Sequence, residues 1–115
     1  MEAKRSIEIL AKSSSGDPYT VMFYIGEGSI SASCSCPAGE YRKLCKHVLR
    51  MLDGDNSILF DIRQETSLGE VSLYLRKTEL PVFLANLNES ELLLREAQNN
   101  VRKAKKALEK VVLRK

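Results

Sequence analysis

Cys34-Ser35-Cys36-Pro37-Ala38-Gly39-Glu40-Tyr41-Arg42-Lys43-Leu44-Cys45-Lys46-His47 holds every cysteine of the 115-residue chain and its one histidine. Two residues of alternate register, Cys34 and Cys36, point the same way in an extended strand, so both thiols face one point. Cys45 and His47 repeat the one-residue spacing where the chain enters a helix. The eight residues between the pairs are long enough to fold the second pair onto the first. Three thiols, an odd number, cannot all be paired by internal disulfides, and their clustering beside an imidazole favours metal. Zn²⁺ takes four such donors at tetrahedral corners, and Cys34, Cys36, Cys45 and His47 supply all four. A closed set of four is a structural site, because a catalytic zinc keeps one position open.

Upstream, Ile7, Ile9 and Ala11 alternate with Ser6, Glu8 and Leu10 at the period of a strand, and Ser13 to Pro18 end it with turn residues. Tyr19 to Ile25, rich in aromatic and β-branched residues, reads as a second strand. Gly26-Glu27-Gly28 then permits a tight reversal into a third, Ser29 to Cys34. Pro37 to Glu40 cannot continue it, because proline lacks the ladder donor. From about Leu44 the apolar spacing becomes helical, with Leu44, Val48, Met51 and Leu52 on one face and Gly54 placed to end the helix.

The stretches Ser33-Cys34-Ser35-Cys36-Pro37-Ala38 and Leu44-Cys45-Lys46-His47-Val48-Leu49 resemble the SWIM zinc-finger family, whose pattern is C-x-C, a variable spacer and C-x-H. The resemblance covers roughly residues 19 to 53 and is to a small stand-alone form. It implies a structural zinc module with roles in binding DNA or proteins, and no chemistry by itself.

Residues 56–88 form a connecting segment in which Ile58, Phe60 and Ile62 alternate like a strand, while Ser67 and Glu70 resemble a capping box. Pro81 ends or kinks what precedes it. Asn88 with Glu91 repeats the cap signature, and no glycine or proline follows, which predicts one helix over residues 89–115, about 40 Å long. On it Leu94, Ala97, Val101, Ala104, Leu108 and Val111 recur at spacings of three and four, the seam of a coiled coil. Such a seam serves packing on the chain's own body, homodimerisation or a different partner helix. The expected fold is α+β: a small antiparallel β-meander with a zinc knuckle and following helix over residues 1–55, then a mostly helical C-terminal half ending in a long amphipathic helix.

The net charge of +3 is unevenly spread. Residues 101 to 115 hold seven basic side chains against Glu109 alone, a charge of +6, so the first hundred residues carry −3. Arg102, Lys103, Lys105 and Lys106 head this basic stretch, and Arg42, Lys43, Lys46 and Arg50 form a second basic cluster around the candidate metal. Both suit phosphate contacts, although such charge also serves as ordinary solvated surface. Tyr41 is an aromatic for base stacking or for packing.

The chain has no glycine-rich phosphate loop, and committing His47 to metal leaves no base for a Ser/His/Asp or Cys/His nucleophile. No catalytic residues and no small-molecule substrate are expected. No apolar run reaches membrane length, the longest being Val21 to Ile25. The expectation is an intracellular, non-membrane binding module with one structural Zn²⁺, whose partner is nucleic acid, most readily DNA, or a protein, a second copy of itself included.

Overall fold

The computed structural model describes residues 5–113. Three strands, β1 (Arg5–Ala11), β2 (Tyr19–Gly26) and β3 (Ser29–Cys34), form an antiparallel sheet in the order β1-β2-β3. The period-2 pattern decides which face is covered. Ile7, Ile9 and Ala11 of β1 and Val21, Phe23 and Ile25 of β2 are all buried, and the register sets Ile7 opposite Phe23 and Ile9 opposite Val21. The turn into β3 runs through Glu27 and Gly28, where Gly28 has a φ of 69° that a side chain would disfavour.

Four helices follow: the single turn α1 (Pro37–Glu40), α2 (Lys46–Leu52), α3 (Glu65–Leu75) and α4 (Leu80–Val112). Val48 and Met51 of α2 and Leu68 and Val71 of α3 close the core over the sheet, joined by Ile58 and Leu59. Gly54, at a φ of 76°, ends α2 by donating its N–H to the Met51 carbonyl. Leu44, expected on the apolar face of this helix, lies before it and is exposed. Cys45 caps the helix, so the chain does not become helical until Lys46.

The alternation of Ile58, Phe60 and Ile62 does not make a strand. Asn56–Ile58 and Ile62–Gln64 are 3₁₀ turns. Asp55 and Asp61 cause this, because each carboxylate accepts the backbone N–H two residues on, from Ser57 at 2.9 Å and Arg63 at 3.0 Å. The pair of turns lies along the outer edge of β1. Phe60 N–H donates to the Leu10 carbonyl, Lys12 N–H to the Ile58 carbonyl, and Ala11 bridges Leu59. Gln64 then acts as a piece of strand: its Oε1 accepts the Leu10 N–H at 2.8 Å and its Nε2 donates to the Glu8 carbonyl at 3.0 Å.

The expected capping box at Ser67 and Glu70 is not used. Helix α3 begins two residues earlier at Glu65, and Glu70 pairs with Arg5 instead. The last helix begins at Leu80, not at residue 89. Pro81 lies in its first turn, where a missing N–H costs nothing, and Thr78 Oγ1 accepts the Leu80 N–H at 3.2 Å. Asn88 and Glu91 are therefore interior positions of the helix. The chain forms two compact units that divide after Pro81. The first contains the sheet, the knuckle, α1 to α3 and the first two residues of α4; the second holds the rest of α4, none of whose residues is buried.

Candidate metal centre

Each of the four candidate ligands is placed by a local rule. Cys34 ends β3 opposite Val21, so strand alternation turns its side chain into the core. Cys36 is the N-cap of α1, and its sulfur accepts the Gly39 N–H at 3.3 Å. Cys45 is the N-cap of α2, and its sulfur accepts the Val48 N–H at 3.4 Å. His47 follows in the first turn of α2 and is 4% exposed. Cap positions suit thiolates, since free N–H groups at a helix start favour negative charge. Between the first two cysteines, Ser35 ties the loop to β2: its N–H donates to the Thr20 carbonyl and its Oγ accepts the Thr20 N–H.

These rules bring one ligand atom from each residue within 4.8 Å of every other, all four residues being buried. Donors at tetrahedral corners 2.3 Å from a zinc lie about 3.8 Å apart, so a small contraction would close the set. Cys34 Sγ and His47 Nδ1 already stand 3.8 Å apart. The other ring nitrogen, Nε2, is a buried polar atom with no hydrogen-bond partner among the described residues, although the Lys12 backbone acts favourably on the ring's charged form. Tyr19 holds the imidazole from one side, its ring centroid 5.0 Å away at 56°. No disulfide joins the cysteines.

Burial and the closeness of the three thiols shape the electrostatics of the cluster. Burial pushes the Cys34 thiol up to about 12, with the adjoining Cys45 adding to the rise. Burial also raises Cys36, but N–H donation from Gly39 and hydrogen bonds from the neighbouring thiols outweigh it, so Cys36 falls below its ordinary value. Burial lowers His47, helped by the charges of Lys46 and Arg50, and this keeps the imidazole neutral and ready to donate a lone pair. A divalent ion would relieve the crowding by taking the place of the thiol protons.

Compared with known protein families, the chain matches the SWIM zinc finger over residues 19–53. Those residues are similar to a SWIM zinc finger. Neither curated proteins nor solved structures give a match. The SWIM match and the four-residue cluster together fit one structural Zn²⁺ held by Cys34, Cys36, Cys45 and His47. The ion would supply cross-linking between β3, α1 and α2.

One residue critical to the SWIM knuckle is not evident from ligand spacing. A Cβ at Gly39 would meet the Cys34 carbonyl oxygen at 2.1 Å and its carbon at 2.8 Å, so only glycine lets α1 lie against the end of β3. Its position in a proline-led turn between the ligand pairs is the one sequence signal. Tyr19 and Ser35 were equally inconspicuous.

Of the basic residues, Arg42, Lys43, Lys46 and Arg50 are all exposed, and none forms an ion pair among the described residues. Arg42 takes a φ of 57°, left-handed for a side-chain-bearing residue. With Lys43 it lines a groove of about 380 Å³ whose floor includes Ala32, Ser33, Cys34 and Gly39. Tyr41 is 78% exposed, which removes packing as its role. Arg102, Lys103, Lys105 and Lys106 lie exposed on α4, in the second unit, as do Leu94, Ala97, Val101, Ala104, Leu108 and Val111. Among the described residues no helix is long and apolar enough to cross a membrane.

Proposed function

We propose that the chain is a zinc-stabilised adaptor that binds nucleic acid, most readily DNA, without catalysing a reaction on it. The observation that carries this reading is the groove beside the knuckle, where Arg42 and Lys43 stand exposed over backbone that zinc would make rigid. Positive charge on a rigid frame meets the first requirement for gripping phosphates, and the exposed Tyr41 beside it offers a face to an unpaired base. The basic stretch from Arg102 on α4 supplies a second attachment. A binding role fits the chemistry of the site, since the one histidine of the chain is spent on metal. Three reduced thiols also suit a reducing, intracellular setting.

Mobility-shift titration of the zinc-loaded chain against duplex and single-stranded DNA tests this. Affinity is expected to fall steeply between 50 and 300 mM salt, as phosphate contacts must. Arg42→Ala with Lys43→Ala is expected to weaken binding about tenfold and flatten the salt slope. Affinity that ignores salt, or the absence of any shift, refutes the reading.

A second reading, association with a protein through α4, is favoured by a separate observation: Leu94, Val101, Leu108 and Val111 are each more than half exposed on one helix. Val101→Asp with Leu108→Asp is then expected to abolish association and leave the zinc content unchanged.

A further inference from the structure

Helix α4 spans 33 residues, and its early start lengthens the seam. Continuing the three-four spacing back from Leu94 adds Ser90, Leu87 and Phe83, so the seam runs from Phe83 to Val111 over about four heptads, apolar at every position but Ser90 and long enough for sustained pairing. The two kinds of seam position differ in size. One series is Leu87, Leu94, Val101 and Leu108; the other holds Ser90, Ala97 and Ala104 in its middle. In a parallel pair each series faces itself, so large meets large and three small layers, alternating with the large ones, leave gaps. In an antiparallel pair the series face each other and every gap is filled.

We propose that α4 pairs with the α4 of a second copy, antiparallel, about a two-fold axis near Asn99. This rests on the association reading above. The register that follows sets Leu94 against the second copy's Ala104, Val101 against Ala97, Leu108 against Ser90 and Leu87 against Val111. Charge points to the same occupant. The first half of the helix carries Glu89, Glu91 and Glu96 against Arg95, and the second half carries Arg102, Lys103, Lys105, Lys106 and Lys110 against Glu109. Antiparallel pairing lays the acidic half of each copy on the basic half of the other, whereas a parallel pair sets basic against basic. In this register Glu91, flanking the seam, faces Lys105 of the second copy, and the contact occurs twice. Within one helix the two are too far apart to meet.

Sedimentation equilibrium on the full zinc-loaded chain tests the proposal. The chain is expected to be dimeric, and Leu94→Asp to be monomeric with zinc content unchanged. Glu91→Lys is expected to weaken the dimer about tenfold, and Glu91→Lys with Lys105→Glu to restore it to within about threefold. A chain that stays monomeric at all concentrations overturns the proposal while leaving a different protein partner open. A dimer indifferent to Leu94→Asp overturns the seam, and one indifferent to Glu91→Lys, or not rescued by the second exchange, overturns the antiparallel register.

Discussion

Gly39→Ala adds a single carbon, and its effect follows from three distances. The new Cβ would lie 2.1 Å from the Cys34 carbonyl oxygen, 2.8 Å from the carbonyl carbon and 3.0 Å from the Cys34 Cβ. None of these atoms is the far end of a flexible side chain, so α1 must draw back from β3 by about 1 Å to reach ordinary van der Waals separation. Cys36 rides on α1 as its cap, and its sulfur loses the Gly39 N–H that holds it. Zinc–ligand distances tolerate only about 0.2 Å, so the metal feels the displacement directly. Overpacking a tight site costs about 1 to 3 kcal/mol, and a clash against backbone belongs at the upper end. About 3 kcal/mol corresponds to a loss of about a hundredfold in zinc affinity. Competition with a chromophoric chelator measures this, and Gly69→Ala is the control. Gly69 sits within α3 with open space where its Cβ would go, so that exchange is expected to stabilise the fold by about 0.5 to 1 kcal/mol and leave zinc affinity alone. A Gly39→Ala chain that binds zinc within threefold of the parent refutes the close-packing argument.

Stripping the metal with a strong chelator is expected to remove on the order of 10 kcal/mol and to unfold the knuckle, read in the near-ultraviolet dichroism of Tyr19, whose ring lies against His47. Acid is expected to release zinc by the same route. Burial, with Lys46 and Arg50, lowers His47 below its ordinary 6.5, so its contribution is complete above that pH and is lost as the pH falls below it; a zinc-release titration should show metal loss on the acid side only. Gln64→Ala is expected to destabilise the first unit by about 1 to 3 kcal/mol, because it leaves the Leu10 N–H and the Glu8 carbonyl without their partners, and urea denaturation measures the loss.

The ligands and the strands were readable because each depends on neighbours in sequence. Alternation is a property of one strand, and a C-x-C pair needs only that strand to converge. What escaped depends on contacts across the fold or on competition between two local signals. Ile58, Phe60 and Ile62 have the period of a strand, yet Asp55 and Asp61 capture the nearby N–H groups and curl the chain instead. Ser67 and Glu70 have the spacing of a cap, but Gln64 spends its side chain on β1 while α3 starts behind it, and Glu70 turns to Arg5. Pro81 reads as a breaker when nothing marks it as the first turn of a helix; Thr78, with its hydroxyl on Leu80, is the residue that marks it. Gly39 is a turn residue until the Cys34 carbonyl is placed against it.

The outer flank of β1 shows how a three-stranded sheet this small stays separate from its neighbours. A bare flank of Glu8, Leu10 and Lys12 would offer unpaired amide groups to any extended chain that met it, the first step toward fibrous assembly. The Phe60 and Ile58 backbone and the carboxamide of Gln64 occupy those groups instead, so one side chain finishes what a fourth strand would otherwise have to do. Protection of this kind is sequence-cheap and fragile. Exchanges at Gln64 would uncover the Leu10 N–H and the Glu8 carbonyl and open this flank to pairing with another chain.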